Sequence, residues 1–289
     1  MKDQVIFITG PARGIGAEVA RMCAQRGAKL ALVGLEPDRL QALAAELGPD
    51  HLWAEADVTN QASLDRAVQA TVDKFGGIDV VFANAGIASN GTVSIAPPDV
   101  LARVVEVNLI GVIRTVSATL AHVTARKGYI LLMSSAAAIV TSPGISTYAA
   151  AKAGVEHFAN GLRMENAHKG VAVGSVHPCW IDTDLVNDTR HDLRSFDRML
   201  SKLPGPFGGV TPLPVCAAAI VEGIVKRKRK LFVPRSLAFY AAIRQFLNSR
   251  FGDFAMGKEM RKTVPRLERE VQELGRSFGA NSVEVLNRD

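Results

Sequence analysis

The run Thr9-Gly10-Pro11-Ala12-Arg13-Gly14-Ile15-Gly16 follows the apolar stretch Val5-Ile6-Phe7-Ile8, and a helical period sets in within it and continues over residues 15–26. A buried strand, a glycine-rich turn and a helix in immediate succession open an α/β unit. Gly10 permits the turn off the strand, Gly14 leaves room for a phosphate beside the backbone, and Gly16 lets helix and strand close up. The unpaired N–H groups and positive dipole end of the helix then face an anionic ligand.

The same alternation runs outward from this turn. Short runs rich in Val, Ile and Leu at 5–9, 29–33, 51–54, 78–83, 129–134, 171–177 and 230–233 read as strands, several apolar on both faces. Helical periods fill 37–46, 61–75, 98–125 and 147–169. Strand and helix in repetition predict a doubly wound α/β fold, a parallel sheet of about seven strands with helices on both faces and its ligand beyond the strands' carboxyl ends. Residues 184–214 break the rhythm with Pro204, Gly205, Pro206, Gly208, Gly209, Pro212 and Pro214 beside Phe196, Met199, Leu200 and Phe207. This insertion reads as a substrate lid or as a loop packed on its own neighbours. The division expected is a catalytic domain over 1–235 and a helical C-terminal extension over 236–289. Residues 237–247 of the extension are apolar and short of negative charge, which suits packing on the domain or an oligomer contact first and a membrane surface second.

The 289 residues are 48% hydrophobic and 21% charged, a globular composition. Cys23, Cys179 and Cys216 are too few and too scattered for a disulfide framework or a metal site, and the six histidines show no ligand spacing. The start shows no secretory signal and no apolar run approaches about 20 residues, so the expected address is the cytoplasm. The formal charge of +6 reads as a solvated basic surface. The basic run at 226–230 reads as a lead-in to the last strand, and no nucleic-acid partner is expected.

Tyr148 and Lys152 stand four apart at the start of a helical pattern, so both side chains reach one site. A free phenol titrates near about 10, and a nearby ammonium stabilises the phenolate, which makes Tyr148 usable as proton donor and acceptor. Ser135, thirteen residues upstream at a strand end, belongs to the same reading. Ser134 points to the other strand face and reads as structural, as does His177 beside Pro178.

With these motifs in order, the chain resembles the short-chain dehydrogenase/reductase family in its single-domain, Rossmann-like form, over roughly 4–235. The glycine run has the family's TGxxxGxG spacing. Asp57-Val58 is similar to its adenine contact, Asn84-Ala85-Gly86 to the tripeptide beside the cofactor, and Asn108 to its helix asparagine. The stretch from Pro178 through Cys179, Trp180 and Ile181 to Thr183 is similar to the segment lining the nicotinamide, with Cys179 in place of the usual glycine. A Cβ at that position would be strained if the backbone required positive φ. The resemblance implies an NAD(P)-dependent oxidoreductase acting on ketones, aldehydes or secondary alcohols. In it Tyr148 exchanges the proton, Ser135 orients the oxygen, Lys152 binds the ribose and lowers the Tyr148 pKa, and Asn108 holds a relay water. It also implies a homodimer or homotetramer. The other reading is a non-catalytic NAD(P)-binding regulator or scaffold on the same fold.

At the end of the second strand Gly34 stands where NAD-preferring members carry an acid. Gly34 leaves room for a 2′-phosphate that Arg13 could pair with, whereas Glu36 could repel it or accept from a ribose hydroxyl. The basic residue usual just past this strand is absent. The expected cofactor is NADP or NAD, the balance tipped slightly to NADP. Segments 88–92, 136–143 and 184–214 with Trp180 should form a pocket for a hydrophobic carbonyl or alcohol.

Overall fold

The computed structural model describes residues 1–201, 203 and 205–279. Pro204 of the glycine- and proline-rich segment and residues 280–289 of the extension lie outside the described residues.

Seven strands form one parallel sheet: β1 (Val5–Thr9), β2 (Lys29–Gly34), β3 (Leu52–Glu55), β4 (Val80–Ala83), β5 (Tyr129–Met133), β6 (Ala172–Pro178) and β7 (Lys230–Val233). Their order is β3-β2-β1-β4-β5-β6-β7. Every residue of β1, β4 and β5 is buried, as strands covered on both faces require. The two-residue period divides them between two cores. Ile6, Ile8, Leu30 and Leu32 meet α1 (Gly14–Gln25), α2 (Pro37–Leu47) and α9 (Leu213–Val225) on one side. Phe7, Val81, Ile130 and Leu132 meet α3 (Gln61–Phe75), α5 (Gly111–Ala125) and α6 (Ser146–Asn166) on the other. The strand order reverses between β1 and β4, which opens a crevice beyond Thr9 and Ala83.

The helical period read over 98–125 is not one uniform helix. It comprises α4 (Pro98–Val105), a π turn at Glu106–Ile110, and α5. The whole is long and apolar enough by composition to cross a bilayer, yet Val112, Val116 and Val123 pack against the sheet. The basic run leads into β7 with Lys226, Arg227 and Arg229 exposed. Lys226 pairs with Glu222, Arg227 donates to Lys127 O, and Lys230 sits 2.5 Å from the buried Glu156 carboxylate.

The 184–214 insertion contains α7 (Asp184–Asp192) and α8 (Arg194–Leu200) and returns to the domain where Thr211 bridges Ile181. The extension forms α10 (Leu237–Ala242), α11 (Arg244–Leu247) and α12 (Arg250–Leu274). Leu237 is buried with Cys179 and Ala136. Leu267 and Val271 of α12 bury against Leu193 and Phe196 of the insertion. The described part of the extension therefore packs on its own domain, above the carboxyl edge of the sheet.

Candidate active site

The glycine turn is locked onto the end of β4. Asn84 Nδ2 donates to Thr9 O (3.1 Å) and Gly10 O (2.9 Å), while Thr9 Oγ1 accepts from the Asn84 and Ala85 N–H groups (3.1 and 3.2 Å). A Cβ on Gly16 would lie 2.5 Å from Gly10 O and 2.6 Å from Asn84 Nδ2, so this glycine holds helix to turn rather than facing a ligand. Gly14, at φ +55°, is different: a Cβ there would meet only Thr183 Cγ2, at 3.5 Å, across the cradle. No side chain caps the N-terminus of α1, which leaves its first N–H groups for an anion.

Above this cradle one cavity of about 650 Å³ runs along the sheet edge. Gly10, Arg13, Gly14, Ile15, Glu36, Asp57, Val58, Asn84, Ala85, Gly86, Asn108, Ser135, Tyr148, Lys152, Pro178, Ile181 and Thr183 all line it, and Gly16 alone of the residues singled out in the sequence stands behind it. The sequence set Arg13 against Glu36; in the structure they are partners. Arg13 Nη2 and Nε lie 2.5 and 3.3 Å from the two carboxylate oxygens, and Arg39, unnoticed in the sequence, brings its Nε to 3.3 Å. Asp57 accepts from the Thr59 N–H (2.8 Å) and lies 3.3 Å from Arg103 Nη2.

At the other end, α6 carries Tyr148 and Lys152 past the end of β5. Ser134 Oγ donates to Lys152 O at 2.8 Å, which pins the helix to the strand and gives Ser134 its structural part. Lys152 is fully buried, its Nζ donates to Met133 O (2.9 Å) and lies 5.5 Å from the Tyr148 ring centroid, and burial pushes its pKa down to about 7. Burial raises the Tyr148 phenol above its ordinary value, and a hydrogen bond with Ser135 works in the opposite direction. The depressed tyrosine expected from the sequence is thus reversed in the protein alone, because desolvation outweighs the stabilising contacts.

Asn108 lies in the π turn, fully buried, with Nδ2 donating to Ile87 O (2.7 Å) and Val104 O (2.9 Å). Its Oδ1 is buried with no partner among the described residues, so it can accept from a ligand or a water on the cavity side. His177 is structural: its Nε2 is 3.0 Å from Ser175 Oγ, its ring stacks on Phe232, and Nδ1 lies 3.4 Å from Ser135 O. Burial holds its pKa at about 4.

The strain anticipated at Cys179 falls one residue later, on Trp180 at φ +41°. Cys179 is a buried filler whose thiol burial pushes up to about 12, so it is not a poised nucleophile. Trp180 meets Phe196 edge to face, with ring centroids 4.9 Å apart. Thr183 precedes α7, its Oγ1 donating to Ile181 O at 3.2 Å. The sequence reading missed an entire wall of the cavity: Tyr240, Leu247, Met256, Glu259, Met260 and Leu267, all from the extension. Their spacing carries no signal that separates site-facing from core-facing residues.

The short chain dehydrogenase family profile matches residues 4–194. A 3-oxoacyl-(acyl-carrier-protein) reductase of Vibrio cholerae is 32% identical over 196 residues, spanning 68% of this chain and 80% of that protein. The solved alcohol dehydrogenase of the archaeon Thermococcus sibiricus, complexed with 5-hydroxy-NADP, superposes with a TM-score of 0.69 at 27% identity, covering 79% of this chain and 95% of its own. The 3-ketoacyl-(acyl-carrier-protein) reductase of Brucella melitensis, complexed with NADH, gives 0.71 at 25% identity and covers 80% and 97%.

Proposed function

The chain belongs to the short-chain dehydrogenase family and is an oxidoreductase, and from that premise we propose that it moves a hydride between NADP and a ketone, aldehyde or secondary alcohol, with Tyr148 as acid and base. The observation that carries this reading is the convergence of Ser135, Tyr148, Lys152 and the unpartnered Asn108 Oδ1 on one end of a cavity whose other end is the glycine cradle.

The residues present fit a nicotinamide dinucleotide. The uncapped start of α1 and Gly14 would receive the pyrophosphate, Asp57 and Val58 the adenine, and Ile181 and Thr183 the carboxamide. When bound, the cofactor supplies or accepts the hydride. The chain's own groups do the rest. Ser135 Oγ donates to the substrate oxygen and fixes its direction. The Tyr148 hydroxyl delivers its proton to that oxygen in reduction and retrieves it in oxidation. Lys152 holds the ribose and replenishes the proton through the Asn108 side.

Two guanidinium groups, Arg13 and Arg39, engage the Glu36 carboxylate, and Arg13 Nη1 also lies 3.9 Å from Asp184. What supports NADP is that these two guanidinium groups could turn their donors to a 2′-phosphate beside Gly34, which has no side chain to fill that space. Fluorescence titration with NADPH and NADH in parallel tests both parts. Tight NADPH binding, retained in Tyr148→Phe while turnover falls by about 10²–10⁴-fold, is the expected result. Unchanged turnover in that variant refutes the mechanism.

A further inference from the structure

We infer that the C-terminal extension completes the substrate site, building a distal apolar subsite that takes a hydrophobic chain or ring system attached to the reacting carbon. This rests on the hydride-transfer reading and names its substrate class.

The extension is held to each of the segments that frame the cavity. The loop after β4 is joined at three points: Asn90 N–H donates to Ser277 O (2.6 Å), and Thr92 and Ser94 donate to the Glu268 carboxylate (2.5 and 2.8 Å). The insertion is joined at two: Glu270 accepts from the Ser195 N–H at the start of α8 (2.9 Å), and Arg276 lies 2.8 Å from the buried Asp192. The loop after β5 touches α12 so closely that a Cβ on Gly144 would stand 2.7 Å from Leu267 Cδ2. A segment fitted at this many points is part of the site's architecture, not a surface appendage.

Its inward face is apolar. Leu247, Met256, Met260 and Leu267 contribute to the cavity wall, opposite Phe196 and Met199 of the insertion. Methionine is unbranched and polarisable, so Met199, Met256 and Met260 conform to apolar groups of varied outline. Among the described residues the single charged side chain that the extension adds to the wall is Glu259. These apolar side chains suit an uncharged apolar end, since they would not repay the desolvation of a charged one. The solved relatives are covered almost whole while about a fifth of this chain stays unmatched.

The test is isothermal titration of 2-alkanols of four to ten carbons into the full-length protein, with and without NADP⁺. Affinity is expected to rise about fourfold per methylene until the subsite is filled. In Met256→Trp and Met260→Trp the rise should stop at a shorter chain, while the affinity for the four-carbon alcohol and for NADP⁺ stays within twofold. A flat profile in the parent protein overturns the inference. So does a rising profile that neither tryptophan shortens, because the chain then lies elsewhere. Bound alcohols that are never oxidised would sink the hydride-transfer reading and leave the subsite standing.

Discussion

Gly86→Ala adds one methyl group at the centre of the candidate site. Gly86 does not occupy the left-handed region, so alanine suits its backbone and the effect is one of space alone. The new Cβ would stand 2.7 Å from Asn108 Oδ1 and 3.4 Å from Lys152 Nζ. Asn108 cannot retreat freely, because its side chain is fully buried and its amide nitrogen holds two backbone carbonyls at 2.7 and 2.9 Å. Relief requires breaking one or both of these bonds, about 1 kcal/mol each, or accepting about 1–3 kcal/mol of overpacking. The expected cost is about 1–3 kcal/mol, a Tm lower by roughly 2–5 °C for a chain of this size. If Asn108 and Lys152 shift even by several tenths of an ångström, kcat should fall by roughly 10²-fold, since the proton-handling groups lose alignment. Gly161→Ala is the control. It lies inside α6 with nothing within 4 Å of its Cβ position, and should gain about 1 kcal/mol from helix propensity alone. Differential scanning calorimetry and steady-state kinetics on both variants decide the matter. Gly86→Ala with wild-type Tm refutes the claim that Asn108 is fixed. A lowered Tm with unchanged kcat refutes its part in the reaction.

Three further outcomes are expected. Ser135 lowers the Tyr148 pKa through its hydrogen bond, so Ser135→Ala should shift the alkaline limb of the alcohol-oxidation pH profile upward, read from kcat/KM; a downward shift contradicts the assignment. His177 titrates near 4 when folded and near about 6.5 when unfolded. The unfolded state then binds more protons between those values, and stability falls by about 3 kcal/mol as pH drops through that window. Urea unfolding at pH 7 and pH 4.5 should show a smaller loss in His177→Gln than in the parent, and equal losses would exclude His177 as a source. Arg13→Ala should weaken NADPH by more than tenfold and NADH by less than threefold; equal losses would mean that Arg13 does not read the 2′-phosphate.

Much of this architecture is legible because it is local. The strand, turn and helix at 5–26 follow from three glycines and an apolar run, and Tyr148 and Lys152 meet because four residues make about one helical turn. What escaped the sequence is set by distant partners. The period over 98–125 looks uniform, since a five-residue π turn shifts the pattern too little to notice. Its position goes with Gly111, where a Cβ would stand 2.6 Å from Val58 Cγ2, a residue 53 positions away. Arg39 carries no mark in the sequence, and only the fold brings it and Arg13 to one carboxylate, that of Glu36. Met256 and Met260 recur at a spacing that any amphipathic helix shows, and only the docking of α12 over the sheet turns that face into a cavity wall.

The Tyr148 and Lys152 pair shows where spacing stops being informative. It reports that the two side chains meet, not which electrostatic effect prevails once they do. In the folded protein burial opposes charge on both. It raises the phenol and brings the ammonium down to about 7, so near neutral pH the phenol is protonated and the lysine about half so. Lysine stabilises a phenolate only as its cation. The pair is therefore poised as a proton donor more readily than as a base, and reduction near neutral pH is the direction its electrostatics favour. Oxidation needs the phenolate, so its rate should climb with pH well above neutrality, while reduction stays level until the phenol itself begins to ionise. Paired pH profiles for the two directions separate these cases. Oxidation that reaches its plateau below pH 7 would show that stabilisation of the phenolate, and not desolvation, governs Tyr148 in the working enzyme.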